Sequence, residues 1–426
     1  MIKHKIVALA YLMIAVTGTV QAQTESGTNS PYTRYGFGAL SDQHFGNSKA
    51  MGGIAYGLRN GYQINATNPA SYTAVDSLTF LFDAGFSLQN ANFKEGKHKV
   101  NAKNSSIDYI AMQFRLNKRL SLSAGFLPFS SVGYQMSQTE SIGKNEHNQD
   151  IVTGTNYMGT GGLNQIYAGL GFKVLKNLSI GANISYLYGD IAHTVTKTFS
   201  DPSATKSVKS ESLSIDDYKL DAGIQYSFLL KDKHMINLGA VYSLGHDLNG
   251  KGFHIKETYS ADGYVPTSQA IDTIRNAFAL PHSFGAGLTY VYDNRLTVGF
   301  DYTLQKWQDV KFFNQEGCFT NRSKYSIGAE YQPDPYKRNY FSRIRYRVGA
   351  YYADPYAKID GKEGNREYGV SFGFGLPVFQ SKSVLNISGQ YVKVSPKVKG
   401  MLEENYLRIN IGLTFNERWF MKWKVD

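Results

Sequence analysis

The residues able to act chemically on a substrate are thinly spread. His147, His193, His246, His254 and His282 form no His-x-x-x-His pair, and no Gly-x-Ser-x-Gly or Gly-x-Gly-x-x-Gly follows a strand and opens a helix. Gly36-x-Gly38 and Gly373-x-Gly375 are short glycine pairs without a nucleotide signal, and Asp232, Asp293 and Asp334 are turn acids rather than a metal loop. The single cysteine, Cys318, cannot make an intramolecular disulfide. No catalysis, cofactor or metal is expected. What remains is binding chemistry. Arg59, Arg115 and Arg408 could meet a carboxylate head group, or could instead pair with acids such as Asp301. Tyr157, Met158, Tyr264 and Val265 fall in long connections, where they either capture an apolar ligand or pack the connections together.

The elements that would hold these residues are strands. The first 22 residues read as a secretory signal, with Lys3 and Lys5 as the basic start, Ile6 to Val16 as the apolar core and Val20-Gln21-Ala22 as the cleavage site. After it no apolar run reaches the roughly 18 residues that a membrane helix needs. From Leu78 the pattern has period two. It gives fourteen candidate strands, near 78-93, 104-116, 120-137, 165-175, 178-199, 211-230, 235-258, 280-292, 295-313, 323-332, 343-359, 366-379, 384-395 and 404-415. In the ninth, Leu296, Val298, Phe300, Tyr302 and Leu304 share one face and Thr297, Gly299, Asp301, Thr303 and Gln305 the other. One face suits lipid and the other a wet or plugged lumen.

With 42 Gly, 31 Tyr, 25 Phe and 19% charged residues, the composition suits tight strands and aromatic girdles. The connections alternate in length. Short basic turns such as Asn117-Lys118-Arg119, Lys176-Asn177 and Asp293-Asn294-Arg295 alternate with longer stretches such as Gln138 to Asn164 and Tyr259 to Ala279. In an outer-membrane barrel the short turns and the N-terminus would be periplasmic and the long loops external. The chain thus reads as an all-β transmembrane antiparallel barrel of about fourteen strands with an N-terminal plug. Its parts are 1-22 signal, 23-77 lead and plug, 78-415 barrel and 416-426 C-terminal turn and tail, where Trp419, Met421, Trp423 and Val425 continue the alternation.

The plug reading rests on Gly46 to Tyr72, whose small residues, Gly52 and Gly53 among them, let a backbone pack close to surrounding walls. It ends in the polar turn Asn65-Ala66-Thr67-Asn68-Pro69-Ala70-Ser71. A second feature is Pro128 in the third strand. Proline cannot donate to the ladder of a closed barrel, so it forces a bulge or kink, which Ser130, Ser131 and Gly133 would let open. In hydrocarbon an unpaired backbone group is costly, so such a break should line a cavity.

Asn68-Pro69-Ala70 closing a glycine-rich plug, and Ala124-Gly125-Phe126-Leu127-Pro128-Phe129-Ser130-Ser131-Val132-Gly133-Tyr134 in the third strand, resemble the FadL family of outer-membrane transporters for hydrophobic molecules, in its Bacteroidetes-type version. The resemblance spans the mature chain. It implies passive uptake of a hydrophobic or fatty-acid-like molecule, which leaves the lumen sideways through a kink at Pro128, Phe129, Ser130, Ser131 and Gly133. It also leaves open a FadL-like barrel turned into a protein-interaction platform, as in the shuttle barrels of type IX secretion. An open polar porin is the third reading, which the plug weakens. The net charge of +11 on an exported chain points to anionic lipid headgroups, lipopolysaccharide phosphates or anionic ligands rather than to nucleic acid. A monomer is the default, since a barrel closes alone.

Overall fold

The computed structural model describes residues 27-77, 79-144, 150-201, 204-260, 265-359, 361-378, 382-396 and 401-418. The expected signal segment, His147, Tyr264 and the residues after Arg418 lie outside the described residues. Fourteen antiparallel barrel strands run in chain order: β1 (Thr79–Glu95), β2 (His98–Arg115), β3 (Leu120–Lys144), β4 (Asp150–Lys173), β5 (Leu178–Phe199), β6 (Lys206–Leu230) and β7 (His234–Ser243). They continue as β8 (Ser283–Tyr292), β9 (Leu296–Gln305), β10 (Arg322–Tyr331), β11 (Arg345–Ala353), β12 (Arg366–Pro377), β13 (Val384–Ser395) and β14 (Glu403–Arg418). Each pairs with the next, and β1 pairs with β14 from Thr79↔Arg418 to Lys94↔Glu403, which closes the ring.

Alternation sets the faces. Phe300 is 47% exposed whereas its neighbour Asp301 is 3% exposed, so the apolar side of β9 looks outward and the polar side inward. Val370 and Phe372 on β12 and Leu407 and Ile409 on β14 repeat this. Tight turns follow from local chemistry. At the β8–β9 hairpin, Asp293 and Asn294 both take φ near +50°, the conformation a two-residue hairpin needs and one these residue types tolerate.

Strand length divides the wall. β7 to β13 run for 9 to 12 residues, near the span of a bilayer, whereas β3 to β6 run for 22 to 25. The excess continues as sheet beyond the long-connection end, and the hairpin Gly250–Tyr259 with Pro266–Arg275 extends it by pairing with the outer half of β6. Several sequence boundaries shift accordingly. Much of the expected loop from Gln138 to Asn164 is strand, because β3 and β4 keep pairing from Leu120↔Phe172 to Lys144↔Asp150. The expected strand 235-258 breaks after Ser243, since its second half pairs with β6 and not with β8. Asn416-Glu417-Arg418, expected as a turn, extends β14 because the start of β1 supplies partners for it.

Residues 27-77 lie within the ring. Their bonds reach inward-facing groups on strands all around it: Gly52 N–H donates to Ser371 Oγ (2.9 Å), Ala55 and Tyr56 N–H to Asp301 Oδ2 (2.6 and 2.8 Å), and Tyr72 Oη to Asn183 Oδ1 (2.9 Å). A short helix α1 (Gly46–Ala50) and two 3-10 turns, Pro31–Arg34 and Pro69–Ala74, are its only helical pieces among the described residues. The path runs lengthwise. Thr73 bonds Ser179 near the short turns, while Ser30 bonds Glu404 and Tyr32 bonds the Leu402 carbonyl at the long-connection end. Ser30 and Tyr32 therefore lie toward the end of the barrel opposite the short turns.

Candidate functional site

The break in the wall is at β2–β3. These strands pair only over the six positions from Ile110↔Phe126 to Arg115↔Ser121. Beyond them β2 keeps its ladder with β1, and β3 keeps its ladder with β4, but the two strands no longer face each other. β3 bulges at Phe129, between Pro128 paired with Asn164 and Ser130 paired with Leu163. Proline removes one donor there and the bulge takes the next residue out of register.

The plug supplies the missing neighbour. Ala39 and Leu40 pair with Ser131 and Ser130. Ser41 N–H donates to the Phe129 carbonyl (2.9 Å) and Gln43 Nε2 to the Pro128 carbonyl (2.9 Å). Further out, Gly133 N–H donates to Thr33 Oγ1 (3.2 Å). The donors and acceptors that β2 leaves unmet on β3 are thus satisfied by residues 33 to 43, which meets the demand that a lipid-level backbone group find an internal partner.

A cavity of ≈ 1030 Å³ lies between this segment and β2. Its walls include Asn104, Ser106 and Asp108 of β2, Pro128 and Ser130 of β3, Asp42 and Lys49 of the plug, and Lys324, Glu367 and Arg408 across the lumen. Charged and polar side chains share its lining with apolar ones. Lys49 Nζ meets Asp108 Oδ2 at 2.7 Å, Lys324 Nζ meets Asp42 Oδ1 at 3.2 Å, and Arg408 Nε donates to Gln89 Oε1 at 2.6 Å while its guanidinium lies 5.4 Å from the Tyr406 ring. A smaller cavity of ≈ 170 Å³ lies on the other side of residues 40-44, against Phe129, Gln165, Lys219 and Asp221.

At the long-connection end the lumen is capped by apolar residues. Phe37 packs among Phe312, Trp307 and Phe319 with centroids 5.3, 5.9 and 6.3 Å away, and Leu248, Phe278 and Val310 join the same buried cluster. On the far side of the ring the plug touches bare backbone. Gly52 takes φ +66°, and a Cβ there would lie 2.6 Å from the Ala350 carbonyl of β11, so both its angle and its surroundings require glycine.

The Asn-Pro-Ala-Ser turn is a lock between plug and wall. Asn68 Oδ1 caps the turn by accepting from Ala70 N–H (3.1 Å), and its Nδ2 donates to the Tyr56 carbonyl (2.8 Å). Asn65 Nδ2 donates to the Ala55 carbonyl (2.7 Å) and Ser71 Oγ to the Asn65 carbonyl (3.1 Å). Asn68, Pro69 and Ala70 press on a row of paired glycines, Gly171↔Gly181↔Gly223, on β4, β5 and β6, where any side chain would collide with them. The sequence reading missed this row; its signal was glycine at the same inward parity on three consecutive strands.

The predicted ligand contacts are not brought together. Arg59 donates to Gln225 Oε1 (3.1 Å) and Thr73 Oγ1 (2.8 Å), and Arg115 to the carbonyls of Val75 (3.1 Å), Asn117 (3.0 Å) and Lys118 (2.5 Å), so both brace the short-turn end. Asp301 pairs with neither; its carboxylate receives the plug backbone. Of the three arginines only Arg408 lines the large cavity. Tyr157 and Met158 are adjacent on β4, not in a loop: Tyr157 sits under Arg34 (5.1 Å) against the apolar cap, and Met158 borders the cavity. Val265 is 70% exposed at the tip of the outer hairpin, far from both.

A family model described as BamG matches residues 1-426. Among solved structures, the chain is similar to the CymD monoaromatic hydrocarbon channel (16% identity, 91% of this chain and 100% of that one, TM-score 0.58). It is likewise similar to the toluene transporter TodX of P. putida (16%, 89% and 100%, TM-score 0.59) and to a FadL homologue of Pseudomonas aeruginosa (13%, 88% and 99%, TM-score 0.59). At these identities the likeness establishes a shared fold. No curated protein sequence matches the chain.

Proposed function

The chain belongs to the BamG family, and on that footing we propose that it is an outer-membrane channel for small amphipathic, fatty-acid-like molecules, which leave the lumen sideways between β2 and β3. One observation carries the reading: the wall is unpaired there, and a cavity of ≈ 1030 Å³ borders the gap. Barrels that share its fold include a monoaromatic hydrocarbon channel and a toluene transporter, which supports transport rather than catalysis. Arg408, beside the ring of Tyr406, would receive an anionic head while the gap passes the tail. Entry from the long-connection end requires the Phe37 cluster to part.

The test locks the segment that fills the gap. Leu40 and Ser130 are cross-strand partners, so a cysteine at each can form a disulfide, in a Cys318→Ser background. The oxidised Leu40→Cys/Ser130→Cys protein is expected to lose uptake of a labelled long-chain fatty acid and to regain it on reduction, with barrel assembly unchanged by heat-modifiable gel mobility. Uptake that persists in the oxidised form would refute lateral exit. No uptake by the wild type would refute the channel.

A second reading is a FadL-like barrel that binds a protein client. It is favoured by the charged cavity lining, with Asp42, Lys49, Asp108 and Lys324 paired inside it, which suits a hydrocarbon poorly. It predicts client capture by in-cell cross-linking from the extended β3–β6 sheet, with no fatty-acid uptake.

A further inference from the structure

At the short-turn end, bases follow the last outward apolar residue of one strand pair after another. Leu116 is followed by Lys118, Leu175 by Lys176, Leu230 by Lys231 and Tyr292 by Arg295, and all four bases are exposed. The connection from β10 to β11 is different in kind. It is longer than its neighbours and is basic and aromatic, with Lys337, Arg338 and Arg343 among Tyr336, Tyr340 and Phe341.

Its placement fixes what it faces. A helical turn, Tyr340–Arg343, caps on Asn339 and buries none of its residues. Tyr346, which shares the outward parity of the 55%-exposed Val348, donates its hydroxyl to the Phe341 carbonyl (3.2 Å), and Tyr340 Oη donates to the Pro377 carbonyl (3.3 Å). The turn is therefore held against the outside rim of the barrel, not over the lumen. Tyr336 is 94% exposed and Phe341 68%. Arg343 lies 5.7 Å from the Tyr340 ring, and among the described residues no acid pairs with Lys337, Arg338 or Arg343.

Exposed aromatic rings with unpaired bases, just past the lipid-facing residues, match the boundary where acyl chains give way to phosphates. We propose that Tyr336–Arg343 is a binding site for anionic glycerophospholipid in the leaflet at the short-turn end: the rings of Tyr336 and Phe341 enter the interface, and Lys337, Arg338 and Arg343 hold the phosphate. This rests on the outer-membrane reading, in which that leaflet is the periplasmic one. It does not need the channel reading.

Native mass spectrometry of the barrel released from nanodiscs of equal phosphatidylglycerol and phosphatidylcholine tests it. The wild type is expected to retain phosphatidylglycerol preferentially, and Lys337→Gln/Arg338→Gln/Arg343→Gln to lose the preference, each removed charge costing roughly fivefold. Lys337→Gln/Arg338→Gln, which alters only exposed side chains, is expected to lose part of it and serves if the triple variant does not assemble. No preference in the wild type or an unchanged preference in the variants would each overturn the proposal. Labelling Lys337→Cys, in the Cys318→Ser background, with an impermeant maleimide on intact cells tests sidedness separately. Labelling there would overturn the leaflet assigned here, whatever the fatty-acid uptake result.

Discussion

The seam between β2 and β3 and the opposite wall from β9 to β11 hold the same plug in different ways. Along β9 to β11 the ladders are continuous, and Gly299↔Gly328↔Gly349 brings bare backbone against Met51, Gly52 and Ile54. Along the seam the ladder stops after six pairs, and the plug is held by Ser41, Gln43, Thr33 and the Lys49–Asp108 ion pair, with a cavity alongside. Backbone packed on glycine has no room to yield. Side-chain contacts beside a cavity can exchange partners one at a time, so motion of the plug should begin at the seam while the glycine wall stays fixed.

The largest expected effect comes from breaking the fixed side. Gly349→Val puts a branched side chain into the Met51–Gly52 backbone, an overpacking of about 3 kcal/mol. It should yield barrels whose residues 27-77 are cleaved by trypsin at once, whereas Gly389→Val, where nothing lies within 4 Å of a Cβ, should leave the plug protected. Equal protection in both would show that the glycine wall does not fix the plug. Next in size is the seam. Lys49→Met strands Asp108 in a largely buried place and should cost about 3 kcal/mol in plug docking, read as a lower urea midpoint for plug cleavage. Lys49→Met with Asp108→Leu should recover most of that loss, because the pair's main contribution is to cancel its own desolvation. A double variant as weak as the single one would mean that the ion pair itself holds the seam.

These two regions also differ in how far the sequence disclosed them. The fixed wall was legible in outline, because an outward Phe300 beside an inward Asp301 is imposed by lipid on one side and plug on the other, and period two records it strand after strand. Pro128 was legible as a ladder fault for the same reason, since its missing donor is a property of the residue. What fills the fault was not. Gln43 and Pro128 are 85 positions apart, and Thr33 and Gly133 are 100 apart, and nothing in a polar lead of ordinary composition marks it as a strand's substitute neighbour. The partners of Arg59 and Arg115 were not legible either, because an inward arginine looks the same in sequence whether it meets a ligand or a loose carbonyl at a turn. Tyr157 and Met158 misled because strands that outrun the bilayer lose the apolar face that reveals them.

The smallest and most selective probe of the seam is pH. His44 follows the residues that replace β2, lies 3.5 Å from Asp42, and has Lys324 and Lys49 nearby. Burial pushes its imidazole down from 6.5 to about 4; Asp42 opposes that shift, while Lys324 and Lys49 add to it. Released from the wall, the same imidazole would titrate near 6.5. Between these values the undocked plug binds a proton that the docked plug refuses, so docking strength rises with pH across that window. It should be level above pH 6.5 and weaken steadily as the pH falls toward 4. Asp42 acts lower down. Burial would raise its carboxyl, but Lys324, His44 and Lys49 hold it well below the usual carboxylate range, so its contribution is complete above about pH 4 and is lost only beneath that. The urea midpoint for plug cleavage, followed from pH 8 to 4.5, should therefore fall below pH 6.5 in the wild type and stay flatter in His44→Gln. Parallel curves for the two proteins would assign the slope to other groups, and the seam would lose its claim to be where the plug first lets go.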